Sequence, residues 1–149
     1  MRVFISVLCA LLASTVMAAE EARFELTRVV SDSNGQTRFV DDSLPLNLLP
    51  FAPPAPPNEI SAHLPAATVT FGRLQPDWFG DWHPTPRKQY IVLLKGAFEV
   101  TTGDGASRQI SAGQVMLLED DTGPGHRTRV IGGTAVEYVA IALPETSPN

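Results

Sequence analysis

Apolar residues along this chain recur at every second position in short runs, and no segment keeps a helical period over three turns. Ala22 to Val30 reads as a strand through Phe24, Leu26 and Val29-Val30. Ser31 to Gln36 is turn chemistry, and its Asn34-Gly35 pair is a strong hairpin signal, so Thr37 to Val40 should return antiparallel. Ala66 to Leu74 is the next strand, followed by an aromatic loop from Asp77 to Trp82. Gln89 to Leu94 and Ala97 to Thr102 form a pair bent at Lys95-Gly96, and Gly103-Asp104-Gly105 turns into Ser107 to Ser111. Val115 to Glu119, a polar loop from Asp120 to Gly125, His126 to Ile131 and Ala135 to Leu143 complete the chain. Short strands with turn signals every eight to twelve residues predict an all-β sandwich or barrel.

Two stretches depart from this rhythm. Leu44 to Asn58 holds six prolines among Leu46, Leu48, Leu49 and Phe51, and its Pro53-Pro54-Ala55-Pro56-Pro57 predicts an extended polyproline-like arm without ladder bonds of its own. From Trp82 to Gly96, Pro84 and Pro86 push His83 and Thr85 out of the α region. An extended course would place His83, Thr85, Arg87, Gln89, Ile91 and Leu93 on one face, polar at one end and apolar at the other. Such a strand suits the wall of a small barrel with a polar mouth and an apolar floor.

The chain has 149 residues, 44% hydrophobic and 18% charged, enough for one domain with a sizeable core. Its net charge of −5, with no basic cluster, argues against nucleic acid or an anionic membrane surface as partner. Arg2, the apolar run Val3 to Val16 and Val16-Met17-Ala18 read as an export leader cleaved after Ala18, too short for a membrane span. The expected product is periplasmic or secreted, a single domain over 19–149. Its hairpin and arm occupy 22–58 and its barrel core 60–143. The one cysteine, Cys9, leaves with the leader, so disulfide and thiol chemistry are excluded from the mature chain.

Trp82-His83-Pro84-Thr85-Pro86-Arg87-Lys88-Gln89 and Glu119-Asp120-Asp121-Thr122-Gly123-Pro124-Gly125-His126 resemble two strings found in a group of bacterial cupins of unassigned activity. The wider cupin motifs are matched in part. His83, Thr85, Gln89 and Gly96 fall at the spacing of the first motif, with Asp77 where its leading glycine belongs. Gly113, Gly123 and His126 follow the second motif with two extra residues. The resemblance implies a double-stranded β-helix, or jelly-roll, barrel carrying an N-terminal hairpin and a Pro-rich arm. It also implies a divalent-metal site of His83, Gln89 and His126, for zinc, iron, nickel or manganese. Thr85 stands in for a second histidine and Gln89 for a glutamate, so such a site is weaker than an intact one.

Arg87, Trp82 and Tyr90 are the candidate contacts to an organic ligand. The planar fork of Arg87 suits a carboxylate, although it could equally pair with Glu119 or an aspartate of the second loop. Trp78, Phe79 and Trp82 could stack on a ring or simply cap the barrel. Asp120 and Asp121, beside glycines, read first as turn residues. Three functional classes stay open: an exported isomerase, lyase or oxygenase using His83 and His126, a non-catalytic small-molecule-binding module, or a structural barrel with a vestigial site. The apolar arm adds the expectation of a homodimer.

Overall fold

In the computed structural model, which describes residues 21–145, the alternation becomes twelve strands with no helix among the described residues. The expected leader, Met1 to Ala18, lies outside the described residues. The strands are β1 (Arg23–Ser31), β2 (Thr37–Pro45), β3 (Asn47–Leu49), β4 (Asn58–Ile60), β5 (Thr68–Leu74) and β6 (Phe79–His83). They continue with β7 (Gln89–Lys95), β8 (Ala97–Thr101), β9 (Ser107–Ser111), β10 (Val115–Glu119), β11 (His126–Ile131) and β12 (Val136–Ala142). A six-stranded sheet runs β2-β1-β10-β7-β12-β5 and a four-stranded sheet runs β6-β11-β8-β9. From β5 onward the chain passes back and forth between them, so neighbours in a sheet are seldom neighbours in sequence. That winding is a jelly roll.

Period-2 alternation decides what lies between the sheets. Val29, Ile91, Leu93, Met116, Leu118 and Val136 come inward from the large sheet and meet Phe98, Val100, Ile110 and Val130 from the small one. The N-terminal hairpin is continuous with the large sheet. β1 pairs parallel to β10, with Thr27 opposite Met116 and Val30 opposite Glu119. Arg28 locks this pairing, 2.6 Å from Glu119 and 3.3 Å from Asp42. The hydrogen bond to Glu119 raises the Arg28 pKa above its ordinary value. Glu119 is thus held by Arg28, and Arg87 is not its partner.

The hairpin turn also braces the loop before β11. A methyl group on Gly123 would lie 2.4 Å from the carbonyl oxygen of Gly35, so only glycine allows this approach. Thr37, fully buried, donates from Oγ1 to the Gly125 carbonyl at 2.7 Å.

Three expectations are corrected. Asp77 to Trp82 is not all loop, because Phe79–His83 pairs with β11 after a tight turn at Gln75–Trp78. Asp77 sits in that turn at φ 64°, a left-handed conformation Asp tolerates better than most residues, which accounts for its place at a glycine position. Pro53 to Pro57 has no ladder bonds, as expected, but it is not extended: the chain turns there, with the Ala55 N–H bonded to the Ala52 carbonyl at 2.9 Å, and β3 and β4 pair on either side of it. Finally, His83 to Leu93 is not one strand. Pro84 and Pro86 lack the donors a ladder needs, and the chain turns there from the small sheet to the large one. No helix among the described residues is long and apolar enough to cross a membrane.

Candidate functional site

The pairing of β6 with β11 brings the histidines together, and the corner at 84–88 carries the chain to Gln89 on the other sheet. His83 ends β6 and His126 begins β11, and the two are direct partners across the antiparallel pair. Their ring centroids are 4.8 Å apart with the planes at 51°. Gly125 sets this approach: its φ is 76°, and an added Cβ would lie 2.0 Å from the His83 carbonyl oxygen.

Each ring is committed through Nδ1. In His83, Nδ1 lies 2.5 Å from the Asp81 carbonyl oxygen, which can only accept. In His126, Nδ1 lies 2.5 Å from Oδ2 of Asp120. A carboxylate also only accepts, so Nδ1 carries the proton in both neutral rings and Nε2 is the bare nitrogen. Asp120 is 0% exposed and His126 4%, whereas His83 is exposed. The second carboxylate oxygen, Oδ1, is buried without a partner. It is sealed from the cavity, so Asp120 serves His126 and not a ligand directly. The unpaired oxygen costs about 1–3 kcal/mol, a cost of the kind that recurs at functional sites.

Gln89 enters from the opposite sheet. Its Nε2 donates to Thr85 Oγ1 at 3.0 Å, while Thr85 Oγ1 donates to the Arg87 carbonyl at 2.9 Å. Thr85 has no further hydroxyl proton to give, so the Gln89 amide nitrogen must be the group it meets, and Oε1 is left as a free acceptor. Thr85 itself, 3% exposed, is spent on these bonds.

His83, Gln89, His126 and Thr128 line a cavity of about 270 Å³, closed by Ile91, Phe98, Met116 and Leu118 and flanked by Trp78 and Tyr138. The Tyr138 ring lies over a glycine of the neighbouring strand, and the Trp78 ring over a glycine two residues further along its own segment. A Cβ on Gly72 would be 2.2 Å from the Tyr138 ring, and one on Gly80 would be 2.3 Å from the Trp78 ring. Aromatic side chains fill the space above a glycine in just this way.

The candidate ligand contacts separate. Tyr90 faces the other side of the large sheet, in an apolar groove with Leu26, Leu44 and Val92, where burial pushes its phenol pKa up. Its neighbours Gln89 and Ile91 point inward, so a residue between them cannot. Trp82 lies on the outer face, with the Arg127 guanidinium 5.4 Å over its ring. Neither is part of the cavity around the histidines. Arg87 borders an adjoining hollow instead. Trp78 and Tyr138 flank that cavity instead, and Asp120 stands behind His126. A signal for Asp120 was present: Met116 and Leu118 point inward, and the same period carries on to 120.

The ligating side chains that line the cavity are two imidazoles and one amide, with no carboxylate among them. No group of three His, Cys, Asp or Glu side chains converges among the described residues. The set fits a divalent ion as two nitrogens and one oxygen, at the weak end for such ions because no anionic ligand joins it.

The two-sheet winding is that of a jelly-roll barrel, and it sets two facing histidines at the ends of β6 and β11. No family model matches the chain, and no curated protein matches it. Among solved structures it is similar to protein NMB1881 from Neisseria meningitidis, at 20% identity and a TM-score of 0.39 over 51% of this chain and 72% of that one. It is also similar to the Cnp3 cupin domain of Schizosaccharomyces pombe, at 14% identity and a TM-score of 0.44 over 85% of this chain and 86% of that one.

Proposed function

We propose that the barrel binds a small organic molecule between its sheets and that His126, oriented by Asp120, moves a proton on it. The observation that carries this reading is the buried Asp120–His126 hydrogen bond, which leaves Nε2 as the free acceptor of a ring that lines the cavity. When Nε2 takes a proton from the ligand, the imidazolium forms beside a carboxylate that stabilises it. Returned to another carbon of the same molecule, that proton completes an isomerisation. Returned to a departing group, it completes an elimination. Tyr138 offers a hydroxyl donor in the same cavity toward charge developing on a ligand oxygen.

The test is proton exchange in heavy water, followed by NMR, on a panel of small ketones and carboxylates. The wild type should exchange an acidic C–H of at least one ligand it binds, and His126→Gln should slow that exchange by about a hundred-fold or more, a usual size for a lost general base. A protein that binds members of the panel and exchanges none of them contradicts the base and leaves a binding module.

The 4.8 Å ring separation favours a second reading, in which both Nε2 atoms and Gln89 Oε1 hold a divalent ion. When bound, the ion would supply Lewis-acid polarisation of a ligand oxygen. Titration calorimetry with zinc, nickel and manganese should show most binding lost in His83→Ala and in His126→Ala, and binding tightened about ten-fold in Gln89→Glu, where a carboxylate adds charge. Thr85→His is not expected to help, because Thr85 is buried and committed to Gln89 and Arg87. Native protein that takes none of the three ions below about millimolar ends the metal reading.

A further inference from the structure

The cavity beside His126 does not stop at Gln89. Gln89 and Ala140 also line a second hollow of about 370 Å³, whose other walls are Thr68, Thr70, Ala142 and Arg87. Cross-strand register explains the continuity. Thr68 lies opposite Ala142 and Ala142 opposite Gln89, while Thr70 lies opposite Ala140 and Ala140 opposite Ile91. These two rows belong to the inward face of the large sheet, the face that carries Ile91 into the core. Alanine at 140 and 142, where longer side chains would fill the space, leaves room between the apolar end and the polar one.

The chemistry of the two ends differs. Around His126 the walls are mostly apolar, with Ile91, Phe98, Met116 and Leu118. Around Arg87 they are two threonine hydroxyls, an amide and a guanidinium. Arg28, Arg108 and Arg129 each hold a carboxylate of their own chain. Arg87 has no carboxylate within 4.0 Å among the described residues, although Asp121, Glu145 and Lys88 border a third hollow on its far side. Its backbone is held by the Thr85 hydroxyl, which bonds to its carbonyl. A guanidinium on a fixed backbone, with no carboxylate within 4.0 Å among the described residues and with hydroxyl donors beside it at the end of an apolar cavity, has the chemistry of a carboxylate receptor.

We propose that the ligand is a small organic acid. Its carboxylate is held by Arg87 with Thr68 and Thr70, its apolar body lies along Ala140 and Ile91, and its far end is presented to Nε2 of His126. This rests on reading the cavity as the binding site. It adds the class of molecule and makes Arg87 a binding residue.

The probes are hexanoate and the neutral alcohol of equal length, titrated against the methyl resonances of Ile91 and Met116. Wild-type protein should bind hexanoate about ten-fold more tightly than hexanol, the size of one charge-assisted hydrogen bond. Arg87→Gln should abolish that preference, and Arg87→Lys should keep part of it. Equal hexanoate affinity in wild type and Arg87→Gln would overturn the inference while leaving the cavity as a binding site. Failure of both probes to shift either methyl in the wild type would overturn the binding site and the inference together.

Discussion

Replacing Gly125 by alanine is expected to lower the melting temperature by roughly 10 °C and to pull the two histidines apart. The added Cβ would lie 2.0 Å from the His83 carbonyl oxygen, 2.2 Å from its carbon and 2.4 Å from the Pro84 nitrogen. All three are backbone atoms, so no side chain can swing aside. The residue also adopts φ 76°, which an L side chain resists. Together the overlap and the strained dihedral should cost about 3 kcal/mol, and each kcal/mol is worth about 4 °C in a domain of this size. The relief available is to move the end of β6 away from the start of β11. Thermal melting and the contacts between the two imidazole rings in NMR spectra would report both effects. A melting point within about 2 °C of wild type would mean that the turn does not hold the pair.

The second large effect falls on chemistry. Asp120→Asn keeps the shape of a fully buried side chain, so the fold should survive, but it removes the carboxylate bonded to His126. An amide offers both a donor and an acceptor, so it does not enforce Nδ1–H, and being neutral it gives no stabilisation to an imidazolium. Proton exchange on a bound ligand should fall roughly a thousand-fold, the scale on which loss of an orienting carboxylate acts. Exchange within about three-fold of wild type, in a variant that melts normally, would reduce Asp120 to a structural residue.

Much of the architecture was legible because two sheets facing one core impose alternation. Ser107–Ser111, Val115–Glu119 and His126–Ile131 can be read from period and turn residues alone, and they are the strands observed. The site was legible only in part. His83, Gln89 and His126 line one cavity, but His83 and Gln89 reach it from opposite sheets rather than along one strand. A proline-broken corner looks extended in sequence, and nothing local says which way it turns. Tyr90 and Trp82 are close to the motif in sequence, but strand alternation places Tyr90 on the other face of its sheet and the contact with Arg127 places Trp82 on the outer face. Asp120 was hidden by its glycine-rich neighbours, which made a buried carboxylate resemble a turn residue. Tyr138 had no local signal at all, since its place depends on Gly72 across the sheet.

Imidazole tautomers test the central claim most directly. Nitrogen-15 spectra of histidine-labelled protein, recorded where the rings are neutral, distinguish a protonated Nδ1 from a protonated Nε2. The bonds from His126 to Asp120 and from His83 to the Asp81 carbonyl require Nδ1–H and a bare Nε2 in both rings. The His126 pattern should be lost or mixed in Asp120→Asn while that of His83 stays as it was. A wild-type His126 carrying its proton on Nε2 would contradict the account, because the cavity would then face a donor and not a base.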